Sequence, residues 1–266
     1  MNEQEYLLDI RTIQSSTIKL VIDALKEILM DVNLEFDNTG MKIIAMDNTH
    51  IVLIHLKLEA EKFEKYYCSK KLFVGINMLK LHMLIKTITN NDILSFFILK
   101  SDPNILGINI ENIEKNVKTT YKLSMLDIDV LNVDIPPVDF ESIISMPSTY
   151  LQKIIRDMHN LAEYIEIKNV EGKLYLSCKG EFCVQETILG TEKSQNIYIK
   201  KNNENNEVSK EIIQGIFSLK YLSIFTKCTN LCNTVEIYLK NSYPIILKYS
   251  IASLGEIKLC LAQQDM

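Results

Sequence analysis

Apolar and polar positions along this chain switch between two periods. Over 15–29, SSTIKLVIDALKEIL, the residues Ile18, Val21, Ile22, Leu25, Ile28 and Leu29 recur at the spacing of one helix face, with Ser15, Ser16 or Thr17 available as the N-cap. The period then drops to two. VNLEF and MKIIAM read as strands joined by the turn DNTG, and IVLIHLKLEA reads as a third strand. KLFVGI predicts a short strand ahead of a second helical stretch, MLKLHMLIKTIT, over 78–89. ILSFFILK, ILGINI and VKTTYKL predict three more strands, with SDPN as the turn between the first two.

The series then starts again. SIISM leads through Pro147 into PSTYLQKIIRDMHNLAE, a helix with Ser148 or Thr149 placed to cap it, followed by YIEIKN, a turn and KLYLSCK. Both halves run helix, strand, turn ending in glycine (Gly40, Gly172), strand. Later, LIKTITNNDILSFF and FTKCTNLCNTVEIYL each put a lysine (Lys86, Lys227) near a helix end, before an Asn-containing turn and a strand. Two halves of about 130 residues sharing one plan indicate an internal duplication of a strand-rich α+β module carrying two helices. The boundaries expected are a first module at 1–123, a connector at 124–141 and a second module at 142–266. The connector, SMLDIDVLNVDIPPVDFE, has five acidic residues and no basic one, yet its spaced Leu126, Ile128, Val130, Val133 and Ile135 are too apolar for a free tether. It should lie along the surface with some side chains docked. The polar run at 200–211, KKNNENNEVSKE, reads as a loop.

Composition narrows the function classes. With 266 residues, 47% apolar and 24% charged, the chain has material for one or two cores and no apolar run near the ~20 residues of a membrane span. MNEQEYLLDI lacks the basic and apolar regions of a signal peptide, so an intracellular location without disulfides is expected. The eight glycines never fall closer than eight residues apart, which excludes both common phosphate-binding loops, and only Arg11 and Arg156 are arginine, which disfavours a multi-arginine phosphoryl clamp. No cofactor is implied. The pairs Cys228/Cys232 and Cys178/Cys183 invite a zinc reading, but their split between helix end, turn, strand and loop favours buried small apolar residues. Asp47 and His50 suggest an acid/base or metal pair for a metal-dependent DNA-processing enzyme, although no nucleophile or carboxylate cluster accompanies them. His55, His82 and His159 carry no motif.

Charge is unevenly placed. The net charge is −5, yet the four helical windows hold eight basic residues against three acidic ones, leaving −10 for the rest. Lys19 with Lys26 and Lys220 with Lys227 are seven apart, and Lys153 with Arg156 three apart, so each pair shares a helix face; Lys80 and Lys86, six apart, fit less well. One such helix is an ordinary solvated face, whereas four in a duplicated chain would, if both modules face the same way, merge into one surface suited to phosphates and independent of base sequence.

AMDNTHIVLIHL at 45–56, LDIDVLNVDIP at 126–136, ISMPSTYLQKIIRDM at 144–158, FSLKYLSIFTKCT at 217–229 and YPIILKYSIASLGEIKLCLA at 243–262 together resemble the proliferating cell nuclear antigen family, the eukaryotic-type sliding DNA clamps. The resemblance implies a DNA clamp fold: two duplicated modules, each with two helices packed on antiparallel sheets, closing into a homotrimeric ring around double-stranded DNA. A subunit of a heteromeric checkpoint-type clamp shares that fold and is the alternative. By the resemblance Lys19, Lys26, Lys86, Lys153, Arg156, Lys220 and Lys227 face the DNA, and Lys80 joins them from its helix alone. Met83 and Leu20 stand where the family often has lysine. A pocket of Met46, His50, Ile51, Leu53, Val133, Ile135, Pro244, Cys260 and Ala262 is implied for a short apolar and aromatic helix of DNA polymerase, clamp loader and other replication and repair partners. Cys260 and Gln263 replace the family's common tyrosine and proline. Val170 or Glu171 falls at the usual modification lysine, with Lys168 nearby. The implied setting is the nucleus or another site of DNA replication, such as a viral factory.

Overall fold

The first strand, β1 (Tyr6–Thr12), turns Leu8, Ile10 and Thr12 inward and its alternate residues outward, and the same alternation recurs through most of the sheets. The computed structural model describes residues 5–130, 138–170, 172–190, 198–201 and 212–264. It divides into two compact units. One contains the chain to Ala45, Ile54–Val133 and Ile251–Ile257; the other contains Met46–Leu53, Asp134–Ser250 and the chain from Lys258.

In the first unit β1 is followed by α1 (Ser15–Leu25), β2 (Asp31–Asp37), β3 (Gly40–Met46), β4 (Val52–Glu59), β5 (Lys65–Cys68), β6 (Leu72–Asn77), α2 (Met78–Ile85), β7 (Asp92–Leu99), β8 (Asp102–Asn112) and β9 (Val117–Ser124). The antiparallel order is β5–β1–β7–β8–β9 in one sheet and β6–β2–β3–β4 in another. The second unit follows with β10 (Ser142–Pro147), α3 (Ser148–His159), β11 (Tyr164–Val170), β12 (Lys173–Lys179), β13 (Val184–Leu189), β14 (Tyr198–Lys201), β15 (Ile213–Ser218), α4 (Leu219–Phe225), β16 (Thr234–Leu239), β17 (Ile245–Ile251) and β18 (Gly255–Leu261). Its sheets run β14–β10–β16–β17 and β13–β12–β11–β15. Each half therefore reads strand, helix, five strands, helix, three strands, and β5–β1–β7–β8 corresponds to β14–β10–β16–β17. The duplication expected from the helix spacing extends to sheet order.

Both turn glycines adopt positive φ, 143° at Gly40 and 80° at Gly172. At Gly40 a Cβ would lie 1.9 Å from the Leu58 carbonyl oxygen, so the DNTG turn needs glycine for space as well as conformation. Asp37 closes that turn, its Oδ1 accepting from the Thr39 and Gly40 N–H groups at 2.7 and 3.2 Å.

Several expectations change. No side chain caps α1 or α3: their N-cap residues are Gln14 and Pro147. Ser15 and Ser148 are instead the first helical residues, and their hydroxyls bond to distant backbone. The helices are also shorter than their apolar patterns; α1 stops at Leu25, α2 at Ile85, and α4 gives way to a 3-10 turn, Thr226–Leu231. Phe217 and Ser218, at the head of the FSLKYLSIFTKCT run, end β15 instead of opening the helix, because Ile213, Gly215 and Phe217 turn inward together. The β7–β8 turn is Lys100–Ser101 rather than SDPN. Leu99 pairs with Asp102, and Pro103 is accommodated where the register shifts.

Connector residues 125–130 do run along the first unit, held chiefly through backbone. Leu126 N donates to Gly75 O at 2.8 Å, and the Asn33 side-chain amide donates to the carbonyls of Ile128 and Asp129 at 3.0 and 3.2 Å. A Cβ on Gly75 would meet the Leu126 carbonyl oxygen at 2.2 Å, so this approach requires glycine. Leu126 and Val130 stay exposed. Most of the 200–211 run lies outside the described residues. No described helix is long and apolar enough to cross a membrane.

Candidate functional site

In the first unit α1 and α2 pack together, α1 burying Ile18, Val21, Ile22 and Leu25 and α2 burying Met78, Leu81 and Ile85. That stripe turns the basic residues outward, with unequal freedom. Lys19 is half-buried, its Nζ donating to the Ile88 carbonyl at 2.7 Å, where a cation suits the carbonyl-rich end of α2. Lys26 caps the end of α1 and pairs with Asp23, whose Oδ1 also lies 2.9 Å from His82 Nε2. His82, read as ordinary, joins that cluster 3.4 Å from Lys26 Nζ. Lys80 and Lys86 are exposed beside Leu79 and Met83, both exposed apolar residues. Asn77 Oδ1 fixes the start of α2 by accepting from the Lys80 N–H at 3.0 Å.

In the second unit α3 buries Leu151, Ile154, Ile155 and Met158, while α4 buries Leu219, Leu222 and Phe225. Gln152 Nε2 donates to Thr226 O at 3.0 Å and ties α3 to the turn after α4. Lys153, Arg156, Lys220 and Lys227 are all exposed. Arg156 Nε lies 3.6 Å from Asp157 Oδ1, a distance and exposure at which the attraction is weak. Lys220 Nζ sits 5.8 Å from the Tyr221 ring centroid.

The same unit contains the loop between β3 and β4. Asp47 Oδ1 accepts from the Ile51 and Val52 N–H groups at 2.9 and 2.8 Å, Asp47 Oδ2 accepts from the Thr49 hydroxyl, and His50 N donates to Asp47 O at 3.0 Å. Burial acts to raise the Asp47 carboxyl, but the hydrogen bonds from Thr49, Val52 and Ile51 outweigh it and hold the group below the usual carboxylate range. Its oxygens are engaged in building the turn rather than directed at His50, which is exposed with φ 58°. Ile51 is exposed too, and its carbonyl accepts from Ala262 N at 2.9 Å. Met46, Leu53, Pro244 and Ala262 are half-buried, and Cys260 is buried at 9% exposure with its thiol pushed up to about 11 by burial. Thus Ile51 and Ala262 are joined directly, and Asp47 holds Ile51 in its place in the loop. Val133 and Ile135 lie outside the described residues, as does Glu171.

Two roles were not read from the sequence, that of Asp47, considered there only as an acid/base or metal partner of His50, and that of Tyr221. Asp47 is the fastener of the loop, which the Asx-turn pattern D-N-T-H could have signalled. Tyr221, from α4, places its hydroxyl 3.1 Å from Thr49 Oγ1 and 3.3 Å from Asp47 Oδ2, a meeting across some 170 residues that no local pattern announces. The cysteines divide: Cys178 and Cys228 are buried as expected, burial pushing the Cys228 thiol up to about 12, whereas their expected companions Cys183 and Cys232 are only half-buried, Cys232 Sγ donating to Thr234 O at 3.0 Å.

The models of the N-terminal and C-terminal domains of proliferating cell nuclear antigen match residues 7–133 and 134–264. The chain belongs to the proliferating cell nuclear antigen family. Among its relatives within that family, the probable DNA polymerase sliding clamp 1 of Paramecium bursaria Chlorella virus 1 is 38% identical over 266 residues, covering 98% of both chains. The proliferating cell nuclear antigen of Chaetomium thermophilum is 32% identical over 259 residues, covering 96% of this chain and 97% of that one. The crystal structure of the Entamoeba histolytica proliferating cellular nuclear antigen superposes with a TM-score of 0.87 at 24% identity, covering 98% of this chain and all of that one, and so shares the fold.

Proposed function

We propose that this protein is a sliding DNA clamp, a non-enzymatic processivity factor that encircles double-stranded DNA and tethers DNA polymerase, clamp loader and other partners. The observation that carries the reading is the pair of helices in each unit of this family fold, which buries its apolar stripe and turns basic residues to solvent. Lys80, Lys86, Lys153, Arg156 and Lys220 are the principal phosphate-facing groups, and Lys227 is exposed on the same helical segment as Lys220; Lys19 and Lys26, each engaged by a protein acceptor, contribute less. Such contacts are weak, screened by salt and blind to base sequence, so they centre the duplex without fixing the protein along it. Retention then comes from topology, and the site of action is wherever DNA is replicated.

Ring closure is proposed through head-to-tail pairing of three copies at the edge strands β9 and β13. Val117, Lys118 and Lys122 are exposed on β9; Val184, Glu186 and Ile188 are exposed on β13, with Phe182 just before it. The two edges thus offer apolar residues and opposite charges. Partner peptides dock at Met46, His50, Ile51, Leu53, Pro244, Cys260 and Ala262, with Val133 and Ile135 of the connector. The test of the assembly is light scattering on the purified protein. A mass three times the 30.7 kDa chain supports the homotrimer, whereas a chain that stays monomeric until mixed with distinct partners makes it a heteromeric clamp subunit instead.

A further inference from the structure

The loop carrying His50 and Ile51 has its apex in solvent, and His50 occupies the left-handed region that costs a non-glycine residue free energy. Such a loop keeps one conformation only if its surroundings hold it. Within the loop Asp47 supplies the acceptors for Thr49, Ile51 and Val52. From outside, Ala262 N grips the Ile51 carbonyl, and the Tyr221 hydroxyl reaches both Thr49 Oγ1 and Asp47 Oδ2. Ala262 belongs to the proposed pocket, whereas Tyr221 does not. Its half-buried ring lies on α4 next to Lys220, and only its hydroxyl meets the loop.

We infer that Tyr221 is a positioning residue for partner recognition, whose hydroxyl fastens the Asp47–Thr49 turn so that His50 and Ile51 stand ready for the docking peptide. The inference rests on the proposed pocket and adds to it a determinant outside its wall. Tyr221 touches no peptide in this scheme; it acts through Thr49 and Asp47. A pre-ordered loop spares the partner the ordering cost that a loose one imposes at binding. Without the hydroxyl, Asp47 still holds Ile51 N and Val52 N, so the turn loosens at Thr49 and His50 while the sheet behind it is unaffected.

The experiment measures binding of a fluorescein-labelled helical peptide, with one aliphatic and two aromatic residues on one face, to the full-length protein and to Tyr221→Phe, Thr49→Val, the double variant and Ile51→Ala. Tyr221→Phe is expected to weaken the peptide roughly 3- to 10-fold, as loss of one hydrogen bond implies. Thr49→Val should weaken it as well, and the double variant by less than the product of the two losses, because the Thr49–Tyr221 contact is common to both while each residue also has its own bond to Asp47 Oδ2. Amide exchange should quicken at 48–51 in Tyr221→Phe, with the thermal midpoint and solution mass unchanged. A Tyr221→Phe protein that binds peptide like the parent, or Tyr221 and Thr49 losses that simply multiply, overturns the inference while the pocket stands. If Ile51→Ala leaves peptide binding intact, the pocket reading falls and this inference with it.

Discussion

Ser15 and Ser148 stand in the same place in the two units. Each is the first residue of a helix and fully buried, and each donates its hydroxyl at 2.6 Å to a backbone carbonyl at or just before the strand after that unit's second helix, Asp92 O and Cys232 O respectively. The helix entry is thereby tied to the strand entry, using a residue type that elsewhere would cap the helix.

Removing either hydroxyl leaves a carbonyl without this partner and a small void. Ser15→Ala and Ser148→Ala should each destabilise the protein by about 1–2 kcal/mol, and the double variant by close to the sum, since the sites share no partner. Urea titration followed by circular dichroism checks this. The midpoint should fall at unchanged slope.

Acid should loosen the first unit through three carboxyls with depressed pKa. At Asp37 burial acts upward, but hydrogen bonds from Lys42 and Thr39 outweigh it and hold the group at about 2. At Asp92 burial is likewise outweighed, by Thr89 and Asn112. Glu111 is lowered first by its bond to Lys118, against burial, with Arg11 adding to the effect. A carboxyl depressed in the folded state contributes stability that is complete above its unfolded pKa, about 4, and disappears as pH falls through the folded value. Stability should therefore decline from about pH 4.5 toward pH 2. Asp37, with 18% of its side chain exposed, accounts for about 2 kcal/mol, and Asp37→Asn should flatten the decline.

The cationic residues should not be equivalent toward DNA. Lys153→Gln and Arg156→Gln should each lower the slope of log affinity against log salt by about 0.9, the value for one phosphate contact. Lys26→Gln should lower it less, because Asp23 already pairs with that ammonium. Fluorescence anisotropy with a duplex oligonucleotide across salt concentrations separates the two cases.

How much of this was legible in the chain follows from where the information lies. Ile18, Val21, Ile22 and Leu25 announced α1 because helix burial is local and periodic, and Gly40 and Gly172 announced their turns because few residues tolerate that backbone. The duplicated plan followed from repeating such signals. Ser15 and Ser148 misled because a serine at a helix start reads as a cap whether its hydroxyl bonds to the helix or to a distant carbonyl. SDPN misled because proline marks turns, and the register shift that admits Pro103 depends on the partner strand. The basic residues were visible in sequence, but the Lys26–Asp23–His82 cluster and the Lys19 bond to Ile88 O depend on α2 packing against α1. Tyr221 was invisible for the same reason.

The most direct measurement of the central claim is retention on DNA with and without ends. The protein is bound at high concentration to a linear duplex, the duplex is circularised by ligation, and the complex is washed in salt that screens the lysine contacts before one restriction site is cut. Topological linkage predicts that protein stays with the circles through the wash and leaves on cutting. Release from circles by salt alone, or equal retention before and after cutting, would contradict it.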